Sequence, residues 1–213
     1  MRPRKKSLAG SALYAVVDKK TLGGVSFFTA AKKLKRAGVS ILQLRDKQSA
    51  RRDVIFEARR LKALLKKRSL FIINDYLDIA RITDADGIHL GQDDLPIELA
   101  RKILGPDKLI GISCHSLKQA KQAEIEGADY ISIGPVYRTP TKPQYKAVGI
   151  RTLRMVARSI KIPVFAIGGI NQKNIDKILS AGARRVAVCR LACKKNIPVK
   201  DLKQLSKVIA KYN

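Results

Sequence analysis

Short apolar runs alternate with longer amphipathic segments along most of the chain. The short runs, such as residues 70–74, have the continuous apolar character of strands buried on both faces. The longer segments, such as residues 50–67, repeat apolar residues at helical spacing. The predicted strands cover residues 12–18, 40–45, 70–74, 87–90, 109–113, 129–133, 163–167 and 185–188. The predicted helices cover residues 27–37, 50–67, 77–82, 97–104, 117–126, 152–159, 174–181 and 199–212.

This regular alternation predicts parallel strands joined by helical crossovers. In a chain of 213 residues, eight such units favour a small (β/α)8 TIM barrel of the α/β class. A doubly wound open sheet is the runner-up, but no Gly-x-Gly-x-x-Gly motif follows the first strand, which weakens a dinucleotide-binding interpretation. We interpret residues 1–11 as a short basic tail and residues 12–213 as a single barrel domain.

The composition indicates whether the protein associates with membranes and in which redox compartment it works. No apolar run approaches the roughly 20 residues that a membrane helix needs, so we expect no membrane association. The three cysteines are too few and too unevenly spaced for a disulfide framework. They favour free thiols in a reducing compartment, which indicates the cytoplasm.

The net charge of +27 raises the question of nucleic-acid binding. The basic residues are spread along the predicted helices, which favours a solvated basic exterior over a dedicated nucleic-acid site. Aromatic residues make up only 5% of the chain, which argues against a base-stacking platform. We therefore expect small phosphorylated substrates, with nucleic acid bound only non-specifically, and a homo-oligomer stays open.

Polar chemistry follows the predicted strands at their carboxyl ends, which a barrel gathers around one mouth. The second strand delivers Gln43, Arg45 and Lys47, and alternation places these three side chains on one face. An amide, a guanidinium and an ammonium on one face suit a bound polyanion.

Two carboxylates follow the neighbouring strands. Asp75 comes directly after Asn74 at the end of the third strand, and Asp94 lies beyond the fourth. Mg²⁺ typically takes one or two protein carboxylates and completes its shell with phosphate oxygens and water. The alternative role is that Asp93 or Asp94 caps the helix beginning near Pro96.

A second anion site is indicated further along the chain. Residues 134–142 form a loop that carries the hydroxyls of Thr139 and Thr141 and the ammonium of Lys142. Such groups just past a strand can hold a phosphate, although a polar surface turn looks the same. A glycine pair ending in Gly169 follows the seventh strand, where backbone N–H groups can reach a phosphate. The two sites together predict an enzyme that joins a pyrophosphate substrate to a phosphorylated partner and releases pyrophosphate.

The two histidines are weaker candidates. His89 lies within the fourth strand and is interpreted as a hydrogen-bonded core histidine. His115 follows Ser113 and Cys114 near the mouth, where it could carry a proton, and we leave it outside the predicted site.

Six motifs, in order and at compatible spacing, resemble the thiamine phosphate synthase family from about Leu13 to Cys193. They are Gln43-Leu-Arg-Asp-Lys47, Asn74-Asp75, the run from Asp86 to Asp94, Gly111-Ile-Ser-Cys-His115, the run from Gly134 to Lys142, and Ile167-Gly-Gly-Ile170. The resemblance implies condensation of 4-amino-2-methyl-5-hydroxymethylpyrimidine diphosphate with thiazole phosphate, giving thiamine phosphate and pyrophosphate. It also implies a Mg²⁺-assisted dissociative mechanism, in which pyrophosphate departs before the thiazole nitrogen attacks.

The family's binding residues carry over to matching positions of this chain. By resemblance, the pyrimidine diphosphate would contact Gln43, Arg45, Lys47, Asn74, Ser113 and Lys142. Mg²⁺ would be held by Asp75 and Asp94. The thiazole phosphate would contact Thr139, Thr141, Gly169, Cys189 and Arg190.

The chain departs from the family pattern after the eighth strand. Cys189 and Arg190 stand where the family usually has a small or aliphatic residue followed by Ser. Arg190 would either strengthen phosphate binding or obstruct it. The high net charge is not a family trait either. Two alternatives therefore remain: a thiazole tautomerase-like barrel without a metal, and a non-catalytic basic barrel that binds phosphate or nucleic acid.

Overall fold

The computed structural model describes residue 8, residues 10–66 and residues 69–212. In these residues eight parallel strands close into a barrel in chain order, with the last strand paired to the first. The predicted (β/α)8 barrel is therefore confirmed. The strands are β1 (Leu13–Asp18), β2 (Ile41–Arg45), β3 (Leu70–Asn74), β4 (Gly87–Leu90), β5 (Leu109–Cys114), β6 (Tyr130–Ile133), β7 (Val164–Ile167) and β8 (Arg185–Val188).

Helices follow every strand and cover the outside of the barrel. They are α1 (Lys19–Leu22), α2 (Phe27–Arg36), α3 (Arg51–Leu65), α4 (Leu77–Ile82), α5 (Ile97–Leu104), α6 (Leu117–Ile125), α7 (Gly149–Ser159), α8 (Ile175–Ser180), α9 (Arg190–Cys193) and α10 (Val199–Ala210). None of the helices in the described ranges is both long enough and apolar enough to span a bilayer.

Two of these helices were not predicted. Both α1 and α9 are four residues long, too short for a periodic apolar stripe to show in the sequence. The first begins because Asp18 accepts a hydrogen bond from the backbone N–H of Thr21 at 2.9 Å. The other helices lie where the sequence predicts them, with ends shifted by up to three residues; Lys67, at the end of one predicted helix, lies outside the described residues.

The barrel has two apolar cores. One fills the space between the strands and the helices and contains most of the buried residues. The other fills the inside of the barrel and consists of Leu8, Tyr14, Val16, Ile41, Leu70, Ile72, Leu109, Tyr130, Phe165 and Ala187. Leu8 comes from the predicted basic tail, of which residues 1–7 and 9 lie outside the described part. The tail boundary stays a prediction.

The inside of the barrel becomes polar toward the carboxyl ends of the strands. The register places Asn74 beside His89 and Ser113 beside Ser132. Below this layer, the ring of Phe165 packs edge-on against two tyrosines, with centroid distances of 5.3 and 5.6 Å. An apolar floor under a polar mouth leaves the carboxyl-terminal end as the place where a ligand can meet charged side chains.

Candidate active site

A cavity of about 300 Å³ opens at the carboxyl-terminal mouth of the barrel. Most of the predicted site residues line it: Gln43, Arg45, Asn74, Ser113, Thr139, Thr141, Lys142, Gly169, Cys189 and Arg190. Lys47, Asp75 and Asp94 do not line the cavity, but their charges act on Lys142. The geometry thus brings the thirteen predicted site residues to one end of the barrel, from strands far apart in sequence.

The end of β2 supplies two of the cavity's polar groups. Gln43 is almost fully buried, whereas Arg45 reaches further out and forms an ion pair with Asp18 of β1. Asp18 sits opposite Arg45 in the strand register and is itself buried. Because this carboxylate also caps α1, it fixes the guanidinium at the cavity wall. The sequence analysis did not identify Asp18 as a site residue.

The backbone of Asp75 adopts an unusual left-handed conformation. Its φ of 58° lies in the left-handed region, which non-glycine residues rarely adopt. Its carboxylate pairs with the ammonium of Lys47 at 2.6 Å. Burial raises the pKa of Asp75, the Lys47 hydrogen bond opposes that shift, and the nearby Asp94 adds to it.

Asp94 accepts a hydrogen bond within its own loop and does not cap the helix that follows. Its Oδ2 accepts a hydrogen bond from the N–H of Gly91 at 2.7 Å, within the loop after β4. The N-terminus of α5 has Pro96 at the cap position and no side-chain cap. The capping alternative is therefore wrong for α5, and Asp94 stays close to Asp75.

The donor set fits a magnesium ion that shares its shell with a ligand. Two carboxylates stand close enough for one to raise the pKa of the other, a repulsion that a divalent cation would relieve. No cluster of three or more metal-ligating side chains occurs in the part of the chain that the structure describes. A Mg²⁺ held by Asp75 and Asp94 would therefore need phosphate oxygens and water to complete its coordination.

The loop between β6 and α7 carries the hydroxyls and the ammonium of the second predicted anion site. Thr139 and Thr141 approach each other with a distance of 3.4 Å between their Oγ1 atoms, and both line the cavity. Burial lowers the pKa of Lys142, and the neighbouring cations Arg45 and Lys47 lower it further. Lys142 therefore faces both groups of predicted binding residues.

That loop is fastened to the end of β5 by an aromatic contact. The ring of His115 stacks on Tyr145, with centroids 4.5 Å apart, and its Nδ1 lies 2.5 Å from the carbonyl oxygen of Gly134. The ammonium of Lys142 lies 5.3 Å from the centre of the Tyr145 ring. His115, which the sequence analysis set aside, thus orients the loop that carries Lys142.

The ends of β7 and β8 complete the mouth. Gly169 has a φ of 68°, and a Cβ there would lie 2.7 Å from the Cβ of Tyr137, so only glycine fits. Arg190 is the first residue of α9 and lines the cavity, as does Cys189 before it. Sequence reasoning missed three further polar residues that line the cavity: Arg138 in the loop after β6, Asn171 after β7 and Lys194 after α9. They stand in loops where no pattern distinguishes a cavity-facing residue from a solvated one.

A buried hydrogen-bond network lies beneath the cavity. In it, Tyr14 is bonded to Gln43 and His89 to Ser113. Tyr14 and His89 also line the cavity. Burial lowers the pKa of His89 to about 3, so its ring is neutral at physiological pH. The interpretation of His89 as a hydrogen-bonded core residue agrees with this arrangement, but the network's contact with the site was not predicted.

The fold and the site together are those of a (β/α)8 barrel enzyme with cations, hydroxyls and paired carboxylates at the mouth. Residues 13–192 match the family model described as thiamine monophosphate synthase. The chain belongs to that family of transferases.

Individual relatives agree with the family match. A thiamine-phosphate synthase from Halalkalibacterium halodurans is 51% identical over 153 residues, covering 71% of this chain and 72% of its own. One from Shouchella clausii is 42% identical over 178 residues, covering 83% of this chain and 85% of its own. A solved structure of thiamine phosphate pyrophosphorylase from Pyrococcus furiosus superposes with a TM-score of 0.87 at 32% identity, covering 98% of both chains.

Proposed function

We propose that the protein is a thiamine-phosphate synthase that joins the aminopyrimidine diphosphate of thiamine biosynthesis to thiazole phosphate. The observation that carries the proposal is the convergence of cations and carboxylates at one edge of the cavity. The pKa of Lys142 is lowered by burial, Arg45 and Lys47, and is raised by Asp75 and Asp94, so all five groups meet there. This charge arrangement suits a magnesium pyrophosphate better than a single phosphate.

In the proposed complex, the pyrophosphate lies against the cations of β2 and the loop after β6. Arg45 is pre-oriented by Asp18, and Lys142 is already partly desolvated. Both side chains can therefore stabilise charge on the leaving group without extensive reorganisation. Lys47 is half exposed and pairs with Asp75, so it neutralises the outer side of the site.

Asp75 and Asp94 are the proposed ligands for Mg²⁺. When bound, Mg²⁺ neutralises the charge that develops on the departing pyrophosphate. The residues around it hold the substrate's phosphates and exclude bulk water from the barrel interior. Gln43, Asn74 and Ser113 line the cavity, and we propose that they contact the pyrimidine.

The reaction itself needs no protein nucleophile. The bond between the pyrimidine methylene carbon and the pyrophosphate oxygen breaks, and its electron pair leaves with the pyrophosphate. The thiazole nitrogen then donates its lone pair to the methylene carbon and forms the new C–N bond. The protein contributes electrostatic stabilisation of the leaving group and alignment of the two rings.

The thiazole phosphate is proposed to lie against the loops after β6, β7 and β8. Thr139 and Thr141 supply hydroxyl donors, and the backbone at Gly169 can approach closely because no Cβ is present. Arg190 lines the same cavity, so we propose that it strengthens phosphate binding rather than blocking it. The N–H of Cys189 is a further candidate donor.

We also propose that the protein works in the cytoplasm. All three cysteines lie in described parts of the chain and are free thiols, which supports a reducing compartment.

The test measures pyrophosphate release by the purified protein with both substrates, with and without Mg²⁺. We expect release to require Mg²⁺ and to fall by about a hundredfold or more in Asp75→Ala, because one of the two proposed carboxylate ligands for Mg²⁺ is lost. Asp93→Ala is the matched control, since it removes an exposed neighbouring carboxylate. Activity in this control should stay near that of the unmodified protein.

Two other outcomes would decide against the proposal. Isomerisation of the thiazole without pyrophosphate release would indicate the tautomerase-like alternative. Salt-sensitive RNA binding that is independent of Mg²⁺, from folded protein without turnover, would indicate the non-catalytic barrel.

A further inference from the structure

Six polar side chains form one continuous series of hydrogen bonds across the barrel interior, directly beneath the cavity. The donor–acceptor distances along the series are 2.5, 3.1, 3.2, 3.0 and 3.3 Å. The series runs from Gln43 through Tyr14, Tyr130 and His89 to Ser113 and Ser132. We call these six side chains the interior relay.

The first bond fixes the direction of the bonds that follow. The Nε2 of Gln43 donates to the hydroxyl oxygen of Tyr14. An amide nitrogen cannot accept a hydrogen bond, so the hydroxyl proton of Tyr14 must point to its other neighbour, the oxygen of Tyr130. The Tyr14 hydroxyl therefore accepts from one side and donates to the other.

The same reasoning determines the proton position on the histidine. Because the oxygen of Tyr130 accepts from Tyr14, its own proton is available only to the Nδ1 of His89. That nitrogen must then carry no proton. The proton of the neutral ring sits on Nε2, between the Oγ atoms of Ser113 and Ser132.

Both ends of the interior relay reach the cavity. Gln43 and Ser113 line it, and their remaining hydrogen-bonding groups are left for a ligand. At Gln43 these are the carbonyl oxygen, an acceptor, and the second N–H of the amide. At Ser113 the remaining group is the hydroxyl proton, a donor, because the serine oxygen accepts from His89.

We propose that Tyr14, Tyr130 and His89 are positioning residues, which fix an acceptor at Gln43 and a donor at Ser113 for the heterocycle of the substrate. A ring with an exocyclic amine and a separate acceptor group matches this pattern. An aminopyrimidine is such a ring, and in that identification the inference rests on the proposed function.

Packing around the tyrosines keeps the interior relay in place. A Cβ at position 111 would lie 2.0 Å from the Cζ atom of Tyr130, so the ring occupies space that only Gly111 leaves open. Phe165 packs edge-on against Tyr14 and Tyr130. The hydroxyls therefore cannot swing toward other partners without disturbing the barrel interior.

The first experiment determines the tautomer of His89 by two-bond ¹H–¹⁵N NMR of the labelled, ligand-free protein at neutral pH. The chain contains two histidines, so His115→Asn assigns the spectrum. We expect a pyridine-like Nδ1 and a pyrrole-like Nε2 in His89. The opposite tautomer, a mixture of both, or a charged ring would overturn the inference, since the donor direction would be reversed or undefined.

Two variants separate positioning from a merely structural role. Tyr14→Phe removes both the acceptor of Gln43 and the donor to Tyr130. We expect the KM for the pyrimidine diphosphate to rise about threefold to tenfold, which corresponds to one lost hydrogen bond. The KM for thiazole phosphate should stay unchanged, whereas the His89 spectrum should move toward a mixture of tautomers, because the oxygen of Tyr130 can then also accept from Nδ1.

Tyr130→Phe removes the donor to His89 and should turn its spectrum into a mixture of tautomers, with a similar rise in the pyrimidine KM. Tyr137→Phe is the control, because its buried hydroxyl has no hydrogen-bond partner among the described residues. Equal changes in both KM values, or no change in either, would overturn the positioning role. An inactive unmodified protein with the expected tautomer would instead contradict the proposed function and leave the relay intact.

Discussion

Lys142 shows how one residue's surroundings set the pH range in which the protein can bind its substrate. Burial and the nearby cations lower its pKa below that of an ordinary lysine. The protonated form binds pyrophosphate, so kcat/KM for the pyrimidine substrate should fall as the pH rises through this lowered value. The alkaline limb of a pH profile of kcat/KM measures that loss in the free protein.

The matched variant is Lys142→Arg, whose guanidinium stays charged throughout the accessible range. We expect lower activity in this variant but no alkaline limb from position 142. In the unmodified protein, the limb in kcat should lie at higher pH than the limb in kcat/KM, because bound pyrophosphate stabilises the ammonium. An unchanged limb in Lys142→Arg would assign the titration to another group.

At the scale of single residues, the sequence predicted which side chains stand at the mouth but not how they are oriented. Gln43 and Ser113 could be recognised from strand alternation and motif. The hydroxyls that orient them could not, because Tyr14 and Tyr130 are 116 residues apart and each occupies an ordinary apolar-looking strand position. Such a contact depends on barrel closure and register, which periodicity does not specify.

The loop between β6 and α7 is the element whose conformation decides where three predicted binding residues lie. Its first residues bond to the backbone after β7, and its second half contacts the end of β5 through the stacking of Tyr145 on His115. Tyr145→Ala should release the loop and lower kcat/KM by about tenfold, through loss of a contact worth roughly one aromatic pair. Steady-state kinetics with each substrate varied in turn measures this effect.

Tyr145→Phe keeps the ring and should behave like the unmodified protein. In Tyr145→Ala the melting temperature should change little, because the residue lies outside both cores, while trypsin should cut the loop faster at its basic residues. Equal loss of activity in both variants would mean that the hydroxyl of Tyr145, and not the stacking of its ring, fixes the loop.

The elements themselves were largely predictable, and the exceptions have a common cause. The long helices show an apolar stripe, and the strands show short, mainly apolar runs. The two unpredicted helices, α1 and α9, are single turns whose position depends on tertiary contacts. Asp18 illustrates the difficulty, since it ends a strand, caps α1 and pairs with Arg45 of the next strand. Only the first of these roles is visible in the sequence.

At the scale of the whole molecule, the excess of 44 basic over 17 acidic residues has an electrostatic consequence for substrate capture. A positive field attracts phosphorylated substrates and raises the association rate. Salt screens this field, because the Debye length shrinks from about 10 Å at 0.1 M to about 3 Å at 1 M. We therefore expect kcat/KM to fall with ionic strength while kcat, measured with bound substrate, changes little.

Substituting exposed charges far from the mouth tests whether the electrostatic field of the whole molecule, or direct contact with phosphate, causes the salt dependence. Lys203 and Lys207 are exposed on α10, outside the cavity lining, and changing both to Glu exchanges cations for anions without touching the proposed site. If the overall charge attracts the substrate, this double variant should show a shallower salt dependence of kcat/KM and an unchanged kcat. If the dependence stays the same in the double variant but disappears in Lys142→Ala, it arises from direct phosphate contacts. The basic exterior would then have no role in capturing the substrate.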